Sequence, residues 1–399
     1  MPAMDANPFG SVLYMMAKPA GAACNLACEY CYYLEKGEPG VKQVMDDGTL
    51  EEFVKQYIEA QTVDEVMFTW HGGEAMMRPL SFYRKALEFQ RRYARGRRVL
   101  NCLQTNGTLI TEEWARFLRA ERWLVGVSID GPEEFHDEYR RARGGKPTFQ
   151  SVMKGIRMLQ RYGVEWNAMA VVNDYNVDYP VEFYRFFKSI GCQYIQFTPI
   201  VERRRGDGRL ATLGDNGEMT PHSVEPRKWG EFLCGVFDEW VKEDVGKIFV
   251  QIFDATLAGW VGQQPGVCSM ASFCGHAGVV EHNGDVYSCD HFVFPQYKLG
   301  NIHQRSIIEM MIDPRQQQFG SMKRGSLPRQ CRECRYSHVC NGECPKNRIS
   351  VTADGEPGLC YLCEGYRMYF DHVAPYMDFM AAELAAHRPP ANVMTQFRG

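Results

Sequence analysis

The chain has 399 residues, 45% of them hydrophobic and 24% charged, and 45 Lys and Arg against 49 Asp and Glu leave a formal charge of −4. That length allows two or three domains, or one large barrel with an appendage. The near-neutral balance argues against nucleic acid or membrane as the main partner, and no apolar run reaches the roughly 20 residues of a spanning helix. Val12–Ala17 is a short apolar strand. The stretch from Val12 ends in Gly21-Ala22-Ala23-Cys24, a faint lipoprotein cleavage box, but Asp5 replaces the basic start and Lys18-Pro19 interrupts the apolar core. The expected location is therefore the cytoplasm. After a Cys-rich loop comes an amphipathic stretch, Leu50–Gln61. Strands are expected at Val66–Trp70, Arg98–Leu103, Trp123–Ile129, Val164–Val172 and Tyr194–Ile200. Helices are expected at Ser81–Tyr93, Glu112–Ala120 with Thr111 as N-cap, Phe149–Tyr162 and Val181–Ile190.

Six strand–helix units in succession imply parallel strands with right-handed crossovers. The expected fold is α/β, a partial (β/α)6 barrel with its chemistry at the C-terminal ends of the strands. Cys24, Gly72, Thr105 and Ser128 all follow such ends. Arg203–Gly217 reads as a linker or mobile loop and Trp229–Trp240 as a helix. From Cys268 to about Tyr369 the chain is rich in Cys, Gly and turn residues. Too little apolar surface is visible there for a core, so metal centres are expected to hold it. Met377–His387 reads as a terminal helix and the tail after Pro389 as loose.

Fifteen cysteines are the main chemical signal. Cys24-x3-Cys28-x2-Cys31 offers three thiolates in eight residues, enough to hold three irons of a 4Fe–4S cube and leave one open. A zinc site borrowing a fourth ligand is the competing reading, although zinc favours Cys-x2-Cys and Cys/His pairs. Farther on stand Cys268, Cys274-x9-Gly284-x4-Cys289, Cys331-x2-Cys334-x5-Cys340-x3-Cys344, Cys360 and Cys363. Spacing alone makes the compact four from Cys331 one site, for iron or zinc. Cys102, Cys192 and Cys234 lie in strand- or helix-like segments and read as buried thiols.

The first run, with Tyr30 inside it and Gly72-Gly73-Glu74 after the second strand, resembles the radical S-adenosylmethionine (radical SAM) superfamily. The later cysteines resemble its SPASM extension. Finer motifs resemble the anaerobic sulfatase-maturating enzymes: Lys18-Pro19, Trp70-His71-Gly72-Gly73-Glu74, Gln104-Thr105-Asn106-Gly107-Thr108, Ser128-Ile129-Asp130-Gly131-Pro132, Gln196–Glu202, Ser288-Cys289-Asp290-His291, Cys340–Lys346 and Tyr361–Tyr366. Glu343 departs from the pattern where a second glycine is expected.

The resemblance implies a barrel with linker over 1–240, a SPASM domain over 241–370 and a C-terminal helix and tail over 371–399. It implies three 4Fe–4S clusters, the first on Cys24, Cys28 and Cys31. Cys268, Cys274, Cys289 and Cys344 would hold the second, and Cys331, Cys334, Cys340 and Cys363 the third, with Cys360 a rival for Cys363. Tyr30, Gly72, Gly73, Glu74, Ser128 and Arg140 would bind S-adenosylmethionine, though Arg140 also reads as a solvated helix charge. The implied reaction converts a sulfatase Cys or Ser to Cα-formylglycine through a 5′-deoxyadenosyl radical. Asp290 is implied as the base that deprotonates the target; a structural carboxylate beside a cluster is the plainer reading. Tyr33 and His71 would position the peptide or simply pack. The implied partners are an unfolded or nascent sulfatase peptide carrying Cys/Ser-x-Pro-x-Arg and a low-potential donor such as flavodoxin or ferredoxin. The alternative is another SPASM peptide-modifying enzyme that forms a thioether or crosslink.

Overall fold

The computed structural model describes residues 13–36 and 44–396. Asp5 and Val12, used in reading the N-terminus, lie outside the described residues. Strand β1 (Tyr14–Lys18) leads into the first Cys loop. Then come α1 (Asp47–Glu59), β2 (Glu65–Trp70), α2 (Leu80–Tyr93), β3 (Arg98–Thr105), α3 (Glu112–Ala120), β4 (Leu124–Ser128), α4 (Glu133–Tyr139), α5 (Phe149–Tyr162), β5 (Trp166–Val172), α6 (Pro180–Ser189) and β6 (Tyr194–Pro199). After these follow β7 (Arg203–Arg204), β8 (Glu218–Met219), α7 (Pro226–Glu243), β9 (Phe249–Val250), α8 (Gln251–Trp260), β10 (Ala277–Glu281), β11 (Asp285–Tyr287) and β12 (Lys298–Asn301). The chain closes with α9 (Ile307–Met311), α10 (Pro314–Gly325), α11 (Arg329–Arg332), α12 (Ser337–Cys340), β13 (Ser350–Val351), β14 (Pro357–Leu359), α13 (Cys363–Ala385) and α14 (Val393–Gln396). The alternation of strands and helices through β6 is the α/β pattern read from the sequence. Thr111 caps α3 as expected, its hydroxyl accepting from the Trp114 N–H at 3.3 Å.

Contacts divide the chain into two compact units. The first takes Met1–Ser128, Tyr139–Trp166 and Cys274–Ser321. Its strands run in the order β12-β11-β10-β1-β2-β3-β4, parallel from β10 to β4, with β11 and β12 antiparallel. Phe53 of α1, Phe68 and Trp70 of β2, Tyr83 of α2 and Trp123 are completely or almost completely buried against one another. Each such side chain contributes about 1.5–3 kcal/mol of burial, which fixes the strands and brings their C-terminal ends to one edge. The Cys loop, Gly72–Glu74, Thr105–Thr108, Ser128 and Glu281 all follow or end those strands.

The Cys274–Ser321 stretch corrects an expectation. It is not held by metal centres alone: Val279, Val280, Val286, Met310 and Met311 are buried, and β10 pairs with β1 so that Glu281 stands opposite Lys18. Few apolar residues are present, but they are placed to share one core.

The second unit takes Ile129–Glu138, Asn167–Phe273 and Met322–Gly399. Here β5, β6 and β9 form a parallel ladder. The segment read as a loop, Arg203–Gly217, is tied down instead. Its β7 pairs with β8, and the Arg203 guanidinium donates to the Thr212 and Asp215 carbonyls at 3.1 and 3.0 Å. Helix α13 starts at Cys363, well before the terminal helix expected at Met377. It packs on α7 through facing glycines, since a Cβ at Gly365 would lie 2.1 Å from the Pro226 carbonyl oxygen. The tail is packed as well, with Val393 of α14 buried and the Asn392 amide donating to Glu383. Among the described residues, no helix is long and apolar enough to cross a membrane.

Candidate active site

The first Cys loop is braced by the loops after β2 and β3. Gly73 and Glu74 donate their N–H groups to the Gly21 and Ala23 carbonyls, both at 2.8 Å. Only glycine allows this approach, because a Cβ at Gly73 would sit 2.3 Å from the Ala23 oxygen. Glu74 is buried, and its carboxylate accepts from Met76 N–H, the Thr105 hydroxyl and Asn106 N–H at 2.7–2.8 Å. Burial raises its pKa against these donors. The side chain thus binds chain to chain. Arg140 is buried and donates to the Tyr30 hydroxyl at 2.9 Å, so it is not a solvated charge. Ser128 accepts from the Gln104 amide at 3.0 Å.

Asp290 stands in a charged cluster. Lys18 has no exposed surface, and its ammonium lies 2.5 Å from Asp290 Oδ1. The Tyr32 hydroxyl donates to Asp290 Oδ2 at 2.8 Å. Burial works against ionisation of Asp290, but Lys18, with His71 and His291 behind it, holds the carboxyl well below the usual range. His71 is pushed down to about 4 by burial and by Lys18, and its Nδ1 accepts from Gly72 N–H at 2.7 Å, so it is a neutral acceptor. Tyr33 is buried, donates to Glu281 and turns its ring face to the Lys18 ammonium at 4.1 Å. Burial and Asp290 raise Tyr32 well above a free phenol, so it stays a donor.

The second cysteine set divides between the units. In the first, the buried amide of Gln316 donates to the carbonyls of Gly275 and Ser288 at 2.7 and 3.2 Å, clamping the neighbours of Cys274 and Cys289. In the second, buried Lys323 donates to the carbonyls of Cys268 and Ser269, and Lys346, two residues past Cys344, pairs with Glu202 at 2.6 Å. Also in the second unit, a cavity of about 480 Å³ is lined by Cys331, Cys334, Cys340, Cys360 and Cys363. Burial, reinforced at Cys340 by Glu343 and then at both by neighbouring thiols, pushes Cys340 up to about 12 and Cys363 up to about 11. Cys360 differs, because its thiol faces the Glu343 carboxylate at 3.7 Å. Glu343 itself has φ +57°, a left-handed conformation that explains why glycine is expected there. Cys102, Cys192 and Cys234 are raised to about 11, 11 and 12, burial being the main cause.

The first Cys loop and the second-unit thiols fit iron–sulfur centres. N–H groups of Leu26 and Asn106 point at the Cys24 sulfur, at 3.4 and 3.7 Å, and the second-unit thiols surround a cavity. Sequence reasoning missed Tyr32, Glu281 and Gln316 as site residues, and it quoted Lys18 only as part of a motif. An unbroken lysine in an apolar strand was the available signal for Lys18; the others carry none.

Residues 19–187 match the radical SAM superfamily and residues 273–335 an iron–sulfur cluster-binding domain. The chain is 63% identical to a serine-type anaerobic sulfatase-maturating enzyme of Bacteroides thetaiotaomicron, over 99% of this chain and 97% of the relative. It is 30% identical to a cysteine-type counterpart from Clostridium perfringens, over 91% of this chain and 96% of the relative. The structure resembles that of native anSMEcpe with bound AdoMet and Cp18Cys peptide, with a TM-score of 0.82 and 29% identity, covering 93% of this chain and 99% of that one.

Proposed function

We infer the function of this chain from the family it belongs to, the anaerobic sulfatase-maturating enzymes of the radical SAM superfamily. It oxidises a Ser or Cys side chain of a sulfatase peptide to Cα-formylglycine. The observation that carries the reading is the 63% identity along nearly the whole chain. Because that relative is serine-type, serine is the favoured target. The chain binds S-adenosylmethionine and iron–sulfur clusters, three of them in this proposal. Cys24, Cys28 and Cys31 would hold the first, and Cys268, Cys274, Cys289, Cys331, Cys334, Cys340, Cys344 and Cys363 the other two. When bound, the first cluster and S-adenosylmethionine supply the one-electron chemistry that removes a hydrogen atom from the target Cβ.

The chain's own residues hold, orient and deprotonate. Tyr30, Ser128, Arg140 and the backbone of Gly72–Glu74 would hold S-adenosylmethionine. Turning an alcohol or thiol into an aldehyde precursor also requires loss of a proton and of one electron, for which the cluster proposed on Cys289, next to Asp290, would supply the acceptor. Asp290 is proposed to take that proton, and Lys18 and Tyr32 hold its two oxygens in place. Neutral His71 and Tyr33 would shape the peptide site. The target motif Cys/Ser-x-Pro-x-Arg, a flavodoxin- or ferredoxin-like donor and a cytoplasmic location belong to the same proposal. So does the division at residues 240 and 370, supported by matches confined to 19–187 and 273–335.

Anaerobic incubation with a Ser-x-Pro-x-Arg peptide and its Cys counterpart, followed by mass measurement, tests the reading. Loss of two hydrogens from the Ser peptide, with an aldehyde that hydrazide reagents capture, is the expected result. A crosslink or thioether would assign the chain to another SPASM activity.

A further inference from the structure

The loop after β3 carries an amide whose direction is fixed at both ends. The Asn106 carbonyl oxygen accepts from the Thr108 N–H at 3.0 Å and the Thr108 hydroxyl at 2.7 Å. A backbone N–H can only donate, so this end of the amide is the oxygen and the other end the NH2 group. That group donates to Asn25 Oδ1 at 2.9 Å and to Cys24 Sγ at 3.7 Å. Asn25 closes the ring by donating to the Thr108 hydroxyl at 2.8 Å. Asn106 is buried, and its own N–H is held by Glu74 at 2.7 Å. Side chain and backbone therefore have little freedom to turn away from the sulfur. The Leu26 N–H points at the same sulfur at 3.4 Å.

We propose that Asn106 sets the reduction potential of the first cluster through its N–H···S hydrogen bond to Cys24. The proposal rests on the reading that Cys24, Cys28 and Cys31 hold that cluster. A cluster that gains an electron places more negative charge on its sulfurs. A donor fixed on one of them stabilises the reduced form and raises the potential. The Asn25–Asn106–Thr108 ring has the further role of keeping the donor aimed through both oxidation states. It makes Asn106 a positioning residue for the electron that starts the reaction.

The test is a dye-mediated redox titration of the iron-loaded full chain followed by electron paramagnetic resonance. The first cluster's signal is identified by its response to S-adenosylmethionine. Asn106→Leu keeps the number and branching of the side-chain heavy atoms and removes the donor. Its iron content is expected to match wild type, with the potential shifted downward and a smaller fraction reduced by dithionite. Thr108→Val, which unlocks the amide and leaves it present, is expected to shift the potential in the same direction by less. An iron-replete Asn106→Leu protein with an unmoved potential overturns the proposal. Loss of the first cluster's iron in Asn106→Leu together with an unmoved potential in Thr108→Val overturns it too, leaving a purely structural amide. Wild-type protein with no signal that responds to S-adenosylmethionine would instead refute the reading beneath it.

Discussion

A buried ammonium needs a partner inside the chain, and Lys18 has Asp290 at 2.5 Å. The pair has a consequence for pH. Burial alone would raise the Asp290 pKa, and Lys18 reverses that, so the carboxylate should stay ionised well below the usual carboxylate range. The acid limb of formylglycine formation should accordingly lie at low pH in the wild type. In Lys18→Met only the burial contribution and weaker neighbours remain, so that limb should move to higher pH. Breaking a buried pair also costs roughly 3–5 kcal/mol of stability, which a denaturant titration would register. Asp290→Asn removes the proposed acceptor itself. Product formation should fall by about a hundredfold or more while cleavage of S-adenosylmethionine persists, since an amide takes no proton at neutral pH. If the variant makes formylglycine at the wild-type rate, Asp290 is not the base. The cysteines give a second contrast. Burial raises both thiols, but Cys363 opens a 23-residue helix whose dipole offsets part of that, whereas the carboxylate facing Cys360 adds to it. Iron analysis should therefore show Cys363→Ala losing about four of about twelve irons and Cys360→Ala retaining them all.

Helices α7 and α13 meet at Gly230 and Gly365, where any added methyl would collide with backbone. Overpacking of this kind costs about 1–3 kcal/mol, so Gly365→Ala should lower the melting temperature measurably; an unchanged melt would mean that the helices slide apart freely. This contact also explains why α13 was illegible. In sequence its first turn, Cys363-Glu364-Gly365-Tyr366, reads as a cluster motif, and Pro375 interrupts the helical pattern. Helices α3 and α5 could be read because their apolar periodicity is local and Thr111 marks one start. The site followed the same rule. Cysteine spacing and the glycine pair are local signals and were visible. Tyr32, Glu281 and Gln316 gain their meaning from partners far away in sequence, Tyr32 from Asp290 and Glu281 from Tyr33, and no local pattern announces such pairs.

On the scale of the molecule, cores and metal centres divide the work. The first unit closes around Phe53, Phe68, Trp70, Tyr83 and Trp123, a cluster that uses no thiol. In the second, residues 331–363 form short helices and a two-stranded hairpin, and five of their thiols line the cavity. Removing iron should therefore act unevenly. Hydrogen exchange on chelated protein should show amides of 331–363 losing protection while those of β2 and β3 keep theirs. Uniform loss across both regions would mean that the clusters support the whole fold.

Strand β1 pairs with β10, Tyr14 opposite Ala277, across roughly 260 residues of chain. At ordinary elongation rates of about 5–20 residues per second, the ribosome needs roughly 10–50 s to make what lies between them. For that interval the strand carrying Lys18 has one edge without its neighbour, and Asp290 does not yet exist to neutralise the lysine. The nascent chain thus holds three exposed thiols on an unfinished sheet. Iron loading of the proposed first site at Cys24, Cys28 and Cys31 should therefore follow the making of β10, and a chain stalled before Ala277 should be found on holdase chaperones without iron.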